Sequence, residues 1–150
     1  MMDQTQGMLQ RDIFSIKRKV FYDFTDAGGV MYHANYLSFM DHARSECLSH
    51  HGFEISELAR VDNIVFAVRD IAISYRFPAR LGDILMITAK LVETGKSKML
   101  FKQTILRQNL SDAEPLLLSE ATVALVCLNA EKFKPCSIPQ KIKEIVNSAY

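Results

Sequence analysis

The sequence predicts an α+β domain: a curved antiparallel sheet of about five strands wrapped around one long helix. Three observations lead there. One stretch, roughly residues 33–50, repeats apolar side chains at helical spacing. The stretches after residue 70 either alternate with a period of two or run apolar on both faces. The joints between them are short and rich in turn formers. A helix stripe needs a sheet face to cover it, and a curved sheet around one helix does so economically.

Ile13 to Tyr22 supplies the bulk of a first strand, which runs into the loop Asp23-Phe24-Thr25-Asp26-Ala27-Gly28-Gly29. Paired glycines there relieve steric limits on the backbone. In the helix, Tyr36, Phe39/Met40, Ala43 and Cys47 form the core-facing stripe, while Asp41, His42, Arg44 and Ser45 lie off it. Gly52 stands where a helix stops. In Asp70 to Phe77, Ile71, Ile73, Tyr75 and Phe77 alternate with Asp70, Ala72, Ser74 and Arg76, giving one buried face. Pro78 and Gly82-Asp83 turn the chain. Ile84 to Val92, Lys98 to Arg107 and Leu116 to Leu128 read as further strands, the first two joined by a hairpin at Thr94-Gly95-Lys96. Ile138 to Tyr150 has weak helical character. Ile84–Val92 and Leu116–Leu128 are apolar on both faces, so the second face needs cover from another subunit.

The chain of 150 residues fits a single domain, residues 1–150, with residues 1–11 a polar, flexible N-terminus. Eighteen basic side chains against seventeen acidic give a net charge of +1, too little to suggest a nucleic-acid partner. The three cysteines, Cys47, Cys127 and Cys136, include no CxxC pair, which argues against a disulfide framework or zinc site and for a reducing compartment. No stretch has the apolar core of a signal peptide or the ~20 residues of a membrane span. A cytoplasmic location is expected. His33, His42, His50 and His51 lack the spacing of a zinc motif, so no metal is expected.

The chemistry concentrates between Tyr22 and Tyr36. An acid, two glycines, a Tyr-His pair and a helix start follow within a dozen residues. The first amides of a helix have no intrahelical partner and carry partial positive charge, so they can receive a polarised carbonyl oxygen. A carboxylate facing that carbonyl could attack its carbon or activate a water. An aspartate before Gly-Gly is also ordinary turn chemistry, its side chain bonding nearby amides.

The run Asp26-x-x-Gly29-x-x-Tyr32-His33-x-x-Tyr36, followed by Phe39-Met40-Asp41-x-Ala43-Arg44, resembles the 4-hydroxybenzoyl-CoA thioesterase family of hotdog proteins, in particular its Tol-Pal-associated branch. Ile73-x-Tyr75-x-x-Pro78-Ala79-x-x-Gly82-Asp83-x-Leu85 is similar to the strand-turn-strand after that family's helix. The resemblance spans about Val20 to Leu128. It implies a hotdog fold, an acyl-CoA substrate, no cofactor, and a homo-oligomer, dimer or tetramer, that shares its pocket between subunits. Asp26 takes the place of the catalytic nucleophile or general base. His33 supplies the amide that polarises the thioester carbonyl, and Gly29 lets the loop approach it. Tyr32 and Tyr36 match aromatic positions that line the acyl pocket or support the loop. Lys96, Ser97 and Lys98 match a segment that holds CoA phosphates, although a charged turn is the ordinary reading of such a cluster. Asp41 is the reserve catalytic acid, since a related branch uses a helix carboxylate; its alternative role is a partner for Arg44. The chain departs from its relatives at Phe24, where close members often carry an acid. Two other functions fit the same fold: acyl-CoA binding without catalysis, and a dehydratase built on His33.

Overall fold

The computed structural model describes residues 13–147; the expected flexible N-terminus, residues 1–11, lies outside them. The elements in order are β1 (Phe14–Lys19), α1 (His33–His50), α2 (Ile55–Val61), β2 (Ile64–Tyr75), β3 (Ile84–Thr94), β4 (Lys98–Arg107), β5 (Leu116–Asn129) and α3 (Gln140–Lys143). Single 3-10 turns occupy Tyr22–Phe24 and Glu144–Asn147. The five strands form one antiparallel sheet in the order β1-β3-β4-β5-β2.

The eighteen-residue α1 lies against β1, β3 and β4. Its stripe of Tyr36, Phe39, Met40, Ala43 and Cys47 is buried, together with Leu48. Leu85, Ile87, Ala89 and Leu91 of β3 and Met99, Phe101 and Ile105 of β4 complete the core. The period-two spacing puts these side chains on one sheet face. Each large side chain withdrawn from water there contributes roughly 1.5–3 kcal/mol before entropy is counted. Gly52, at φ +92°, ends the helix in the left-handed conformation that glycine adopts at least cost.

Several elements differ from the sequence expectation. The first strand stops at Lys19, and Tyr22–Phe24 coils instead of extending. Val20 still donates to the Asp83 carbonyl and accepts from Gly82 N–H, so the ladder ends on that turn. The helix α2 was not expected. It has seven residues and buries only Leu58, too short to show a period. β2 begins at Ile64 and, among the described residues, pairs only with β5, so it is a sheet edge. Ile71, Tyr75 and Phe77, expected on a buried face, are exposed within one chain.

Arg44 is a further correction. Expected off the core stripe, it is only 5% exposed. Its guanidinium donates to Gln103 Oε1 at 2.9 Å and to Asp41 Oδ1 at 3.3 Å. Gln103 in turn donates from Nε2 to the carbonyls of Met40 (2.9 Å) and Thr88 (3.2 Å). Burial lowers the Arg44 pKa from its ordinary value, and Asp41 works in the opposite direction. This polar knot joins α1, β4 and β3 inside the core.

Candidate functional site

Asp26 sits at the tip of the loop between β1 and α1, and the loop is a small hairpin in its own right. Thr25 and Met31 form an antiparallel bridge, and Asp26 N–H donates to the Val30 carbonyl at 2.9 Å. Gly29 N–H returns to the Asp26 carbonyl at 3.1 Å, with Gly29 at φ +78°. That conformation penalises any residue with a Cβ. Asp26 Oδ1 accepts the Gly28 amide at 2.8 Å, which is the turn chemistry expected of the residue type. Oδ2 has no hydrogen-bond partner among the described residues, and the side chain is exposed.

The loop is fastened to the start of α1 through one carbonyl. Phe24 O accepts Tyr32 N–H at 2.8 Å and Asn35 Nδ2 at 2.9 Å. The Phe24 ring packs edge-on against Phe39 at 5.1 Å, so position 24 anchors the loop by apolar contact. Tyr32 is the residue before the helix, and no side chain caps it. The amides of His33 and Ala34 have no backbone partner among the described residues. These are the polarised donors that a helix start offers. The His33 ring lies 4.5 Å from the Tyr32 ring, and both side chains are exposed.

Tyr36 is buried, and its hydroxyl accepts the Ala79 amide at 2.9 Å. Burial, the largest influence, raises its pKa, so the phenol stays protonated. Its ring meets Tyr75 edge-on at 5.1 Å, and Tyr75 Oη donates to the His33 carbonyl at 3.3 Å. The adjoining turn is built from Asp83, whose carboxylate accepts Arg80 N–H at 2.8 Å and Asn109 Nδ2 at 2.9 Å. Met31 N–H bonds the Ala79 carbonyl, and Val30 bridges to Arg80. The 79–83 turn is thus a platform under the Asp26 loop. Asn35 and Tyr75 were not picked out from sequence as site residues. An asparagine at the third helical position, a residue type that bonds nearby backbone, was the available signal for the first. Tyr75 stood in the second sequence motif without a stated role.

The remaining site residues lie elsewhere. Asp41 is exposed on α1, paired with Arg44 beside a cavity of about 90 Å³ that Leu48, Ile55, Phe66 and Val68 help to line. Lys96, Ser97 and Lys98 occupy the β3–β4 hairpin, which Gly95 N–H closes onto the Lys98 carbonyl. β1 pairs with β3 so that Lys19 faces Ile84, which puts the Asp26 loop at the Ile84 end of β3. The hairpin follows Thr94, at the other end. At roughly 3.3 Å per residue, about 30 Å of strand separates them within one chain. A concavity of about 880 Å³ is bordered by Thr88, Lys90, Lys102, Thr104 and Glu120; these alternate with the core residues and so lie on the sheet face away from α1. None of the candidate residues lines it. Among the described residues no group of three or more His, Cys, Asp and Glu could hold a metal ion, and no helix is long and apolar enough to cross a membrane.

Residues 28–113 match the model of the thioesterase superfamily. The acyl-CoA thioesterase YbgC of Haemophilus influenzae is 38% identical over 130 residues, 87% of this chain and 91% of that protein. The acyl-CoA thioester hydrolase YbgC of Escherichia coli O6:H1 is 40% identical over 124 residues, 83% of this chain and 88% of that one. A probable thioesterase from Bartonella henselae superimposes with a TM-score of 0.77 at 30% identity, covering 85% of this chain and 99% of its own. The five-strand antiparallel sheet with its helices is the hotdog fold of these thioesterases. With a family model over more than half its length and close relatives along nearly all of it, the chain belongs to the thioesterase superfamily.

Proposed function

We propose that this protein hydrolyses acyl-CoA thioesters to a free acid and CoA, with Asp26 as nucleophile or general base. What supports the reading is that Asp26 Oδ2 and the amides of His33 and Ala34 are all without hydrogen-bond partners among the described residues, on a loop and helix start joined through Phe24 O. The names of the Haemophilus and Escherichia relatives support the substrate class. The thioester carbonyl oxygen points at the helix amides, which stabilise the negative charge that develops there by something like a hundred- to thousand-fold in rate. Where Asp26 activates water, the water oxygen adds to the acyl carbon and displaces sulfur; where Asp26 attacks first, its carboxylate displaces sulfur to form an anhydride, which water then cleaves to the free acid and the restored Asp26. The C–S bond breaks, and the CoA thiolate leaves with a proton.

The working unit is a homo-oligomer, dimer or tetramer, in the cytoplasm. Among the described residues β2 presents an unpaired outer edge and the exposed side chains Val68, Ile71 and Tyr75, surface that a second copy would cover. A second copy paired antiparallel along β2 reverses the sheet end for end. Its Lys96-Ser97-Lys98 hairpin then comes to the end of the joined sheet where Asp26 lies, and these basic and hydroxyl side chains are the ones suited to CoA phosphates.

The test is a panel of short, long and aromatic acyl-CoA esters with a free-thiol readout, run on the wild type and on Asp26→Asn. Thiol release by the wild type and loss of at least a hundredfold in the variant, with melting behaviour unchanged, is the expected result. Near-wild-type turnover by Asp26→Asn would remove Asp26 from the mechanism. No thiol release from any ester, with binding retained, would favour the non-catalytic alternative.

A further inference from the structure

The last stretch of chain returns to the sheet beside the Lys96–Lys98 hairpin. Leu128 and Pro135 face each other as an antiparallel pair. Asn129 N–H bonds Lys134 O on one side of them, and Cys136 N–H bonds Cys127 O on the other, both at 2.9 Å. Pro135 therefore takes the ladder position that requires no N–H. Cys127 and Cys136 form the next opposed pair, and their sulfurs lie 3.5 Å apart as free thiols. Directly opposed residues hold their Cα atoms about 4.5–5.5 Å apart, inside the range that disulfides span. Only the sulfurs need to approach, by about 1.5 Å, to reach bonding distance.

Cys127 also stands at a junction. Its amide donates to Ser97 O at 2.7 Å, and its carbonyl accepts from Cys136. Two residues on, Ile138 N–H donates to Lys96 O at 2.8 Å. The side chains of Ile138 and Ile142 are buried, which docks the segment on the core. The thiol pair thus sits where β5, the basic hairpin and the C-terminal segment meet.

We propose that Cys127 and Cys136 are a reversible dithiol–disulfide site that takes a low-molecular-weight disulfide as oxidant and clamps the C-terminal segment and the Lys96–Lys98 hairpin onto β5. The half-buried Cys136 reacts first. Its thiolate attacks one sulfur of R–S–S–R, forming Cys136–S–S–R and expelling RS⁻, which takes up a proton. Cys127 then loses its proton to solvent and attacks the Cys136 sulfur, forming the internal bond and expelling the second RS⁻, also protonated. The protein loses two electrons and two protons, and the oxidant becomes two thiols. Burial, and after it the hydrogen bond to Cys136, push the Cys127 thiol up to about 12. Cys127 is therefore a poor point of first attack, and its step is the slower one. None of this depends on the hydrolytic reading of the protein.

The test exposes the full chain to oxidised glutathione near neutral pH, blocks remaining thiols with N-ethylmaleimide, and maps peptides by mass spectrometry. The expected course is a glutathione adduct on Cys136 that converts to a Cys127–Cys136 cross-link and is reversed by dithiothreitol. Cys127→Ser should accumulate the adduct on Cys136, and Cys136→Ser should leave Cys127 unmodified. Amide hydrogen exchange at Cys127 and Ile138 should slow by about tenfold or more in the oxidised form. A wild type that stops at the mixed disulfide, or keeps both thiols open to blocking, would overturn the site. Unchanged exchange in a cross-linked protein would overturn the clamp.

Discussion

The hydroxyl of Tyr36, on the first turns of α1, accepts the backbone amide of Ala79, on the turn between β2 and β3, at 2.9 Å. Both residues are buried. The bond links the helix that offers its amides to the platform under the Asp26 loop, which also takes Met31 N–H on the Ala79 carbonyl. Tyr36→Phe keeps the ring and orphans the Ala79 N–H. A loss of about 1–3 kcal/mol in denaturant unfolding is expected, the cost of an unsatisfied buried donor. Unfolding midpoints equal to the wild type would show that the bond contributes nothing.

The Arg44–Gln103 pair predicts strong non-additivity. Gln103→Leu strips the buried guanidinium of the nearer of its two acceptors, leaving Asp41, and should cost about 3 kcal/mol, because a poorly partnered charge stays inside. Adding Arg44→Met removes that charge, so the double variant should be more stable than Gln103→Leu alone. Chemical denaturation of the four proteins of the cycle measures this. Additive losses would mean that the two side chains act independently.

Asp112 predicts an acid-dependent step in stability. Its carboxylate accepts Arg107 at 2.8 and 3.0 Å and the Asn109 amide at 2.8 Å. The bond from Arg107, first, and that from Asn109 hold its pKa below the ordinary aspartate value. A group depressed in the folded state adds stability above its unfolded pKa, and that contribution is lost as pH falls through the folded one. Asp112→Asn should therefore lower the melting temperature at neutral pH, and the gap should close in acid below the usual carboxylate range. A gap independent of pH would show that the carboxylate's charge is not responsible.

The residues around Asp26 were legible because their types sit at fixed offsets and the two glycines mark a turn. The α1 stripe was legible because apolar spacing reports burial directly. Arg44 was not, since the stripe counts only apolar side chains and the partner that makes its burial tolerable, Gln103, is 59 residues away. The start of β2 was hidden for two reasons. Ile64-Val65-Phe66-Ala67-Val68 is apolar without alternation, and a bulge between Val68 and Asp70 shifts the register just where the alternation begins. That Asp26 and the Lys96–Lys98 hairpin stand at opposite ends of one sheet depends on strand order, which no local pattern encodes.

The double use of the Phe24 carbonyl, with the Phe24 ring seated on Phe39, rivets the loop to α1. A loop held at its base by two hydrogen bonds and a ring contact has fewer conformations open to it than a free surface loop. Under the proposed mechanism, part of the entropy of ordering the loop is thus surrendered as the chain folds and not as a reactant arrives.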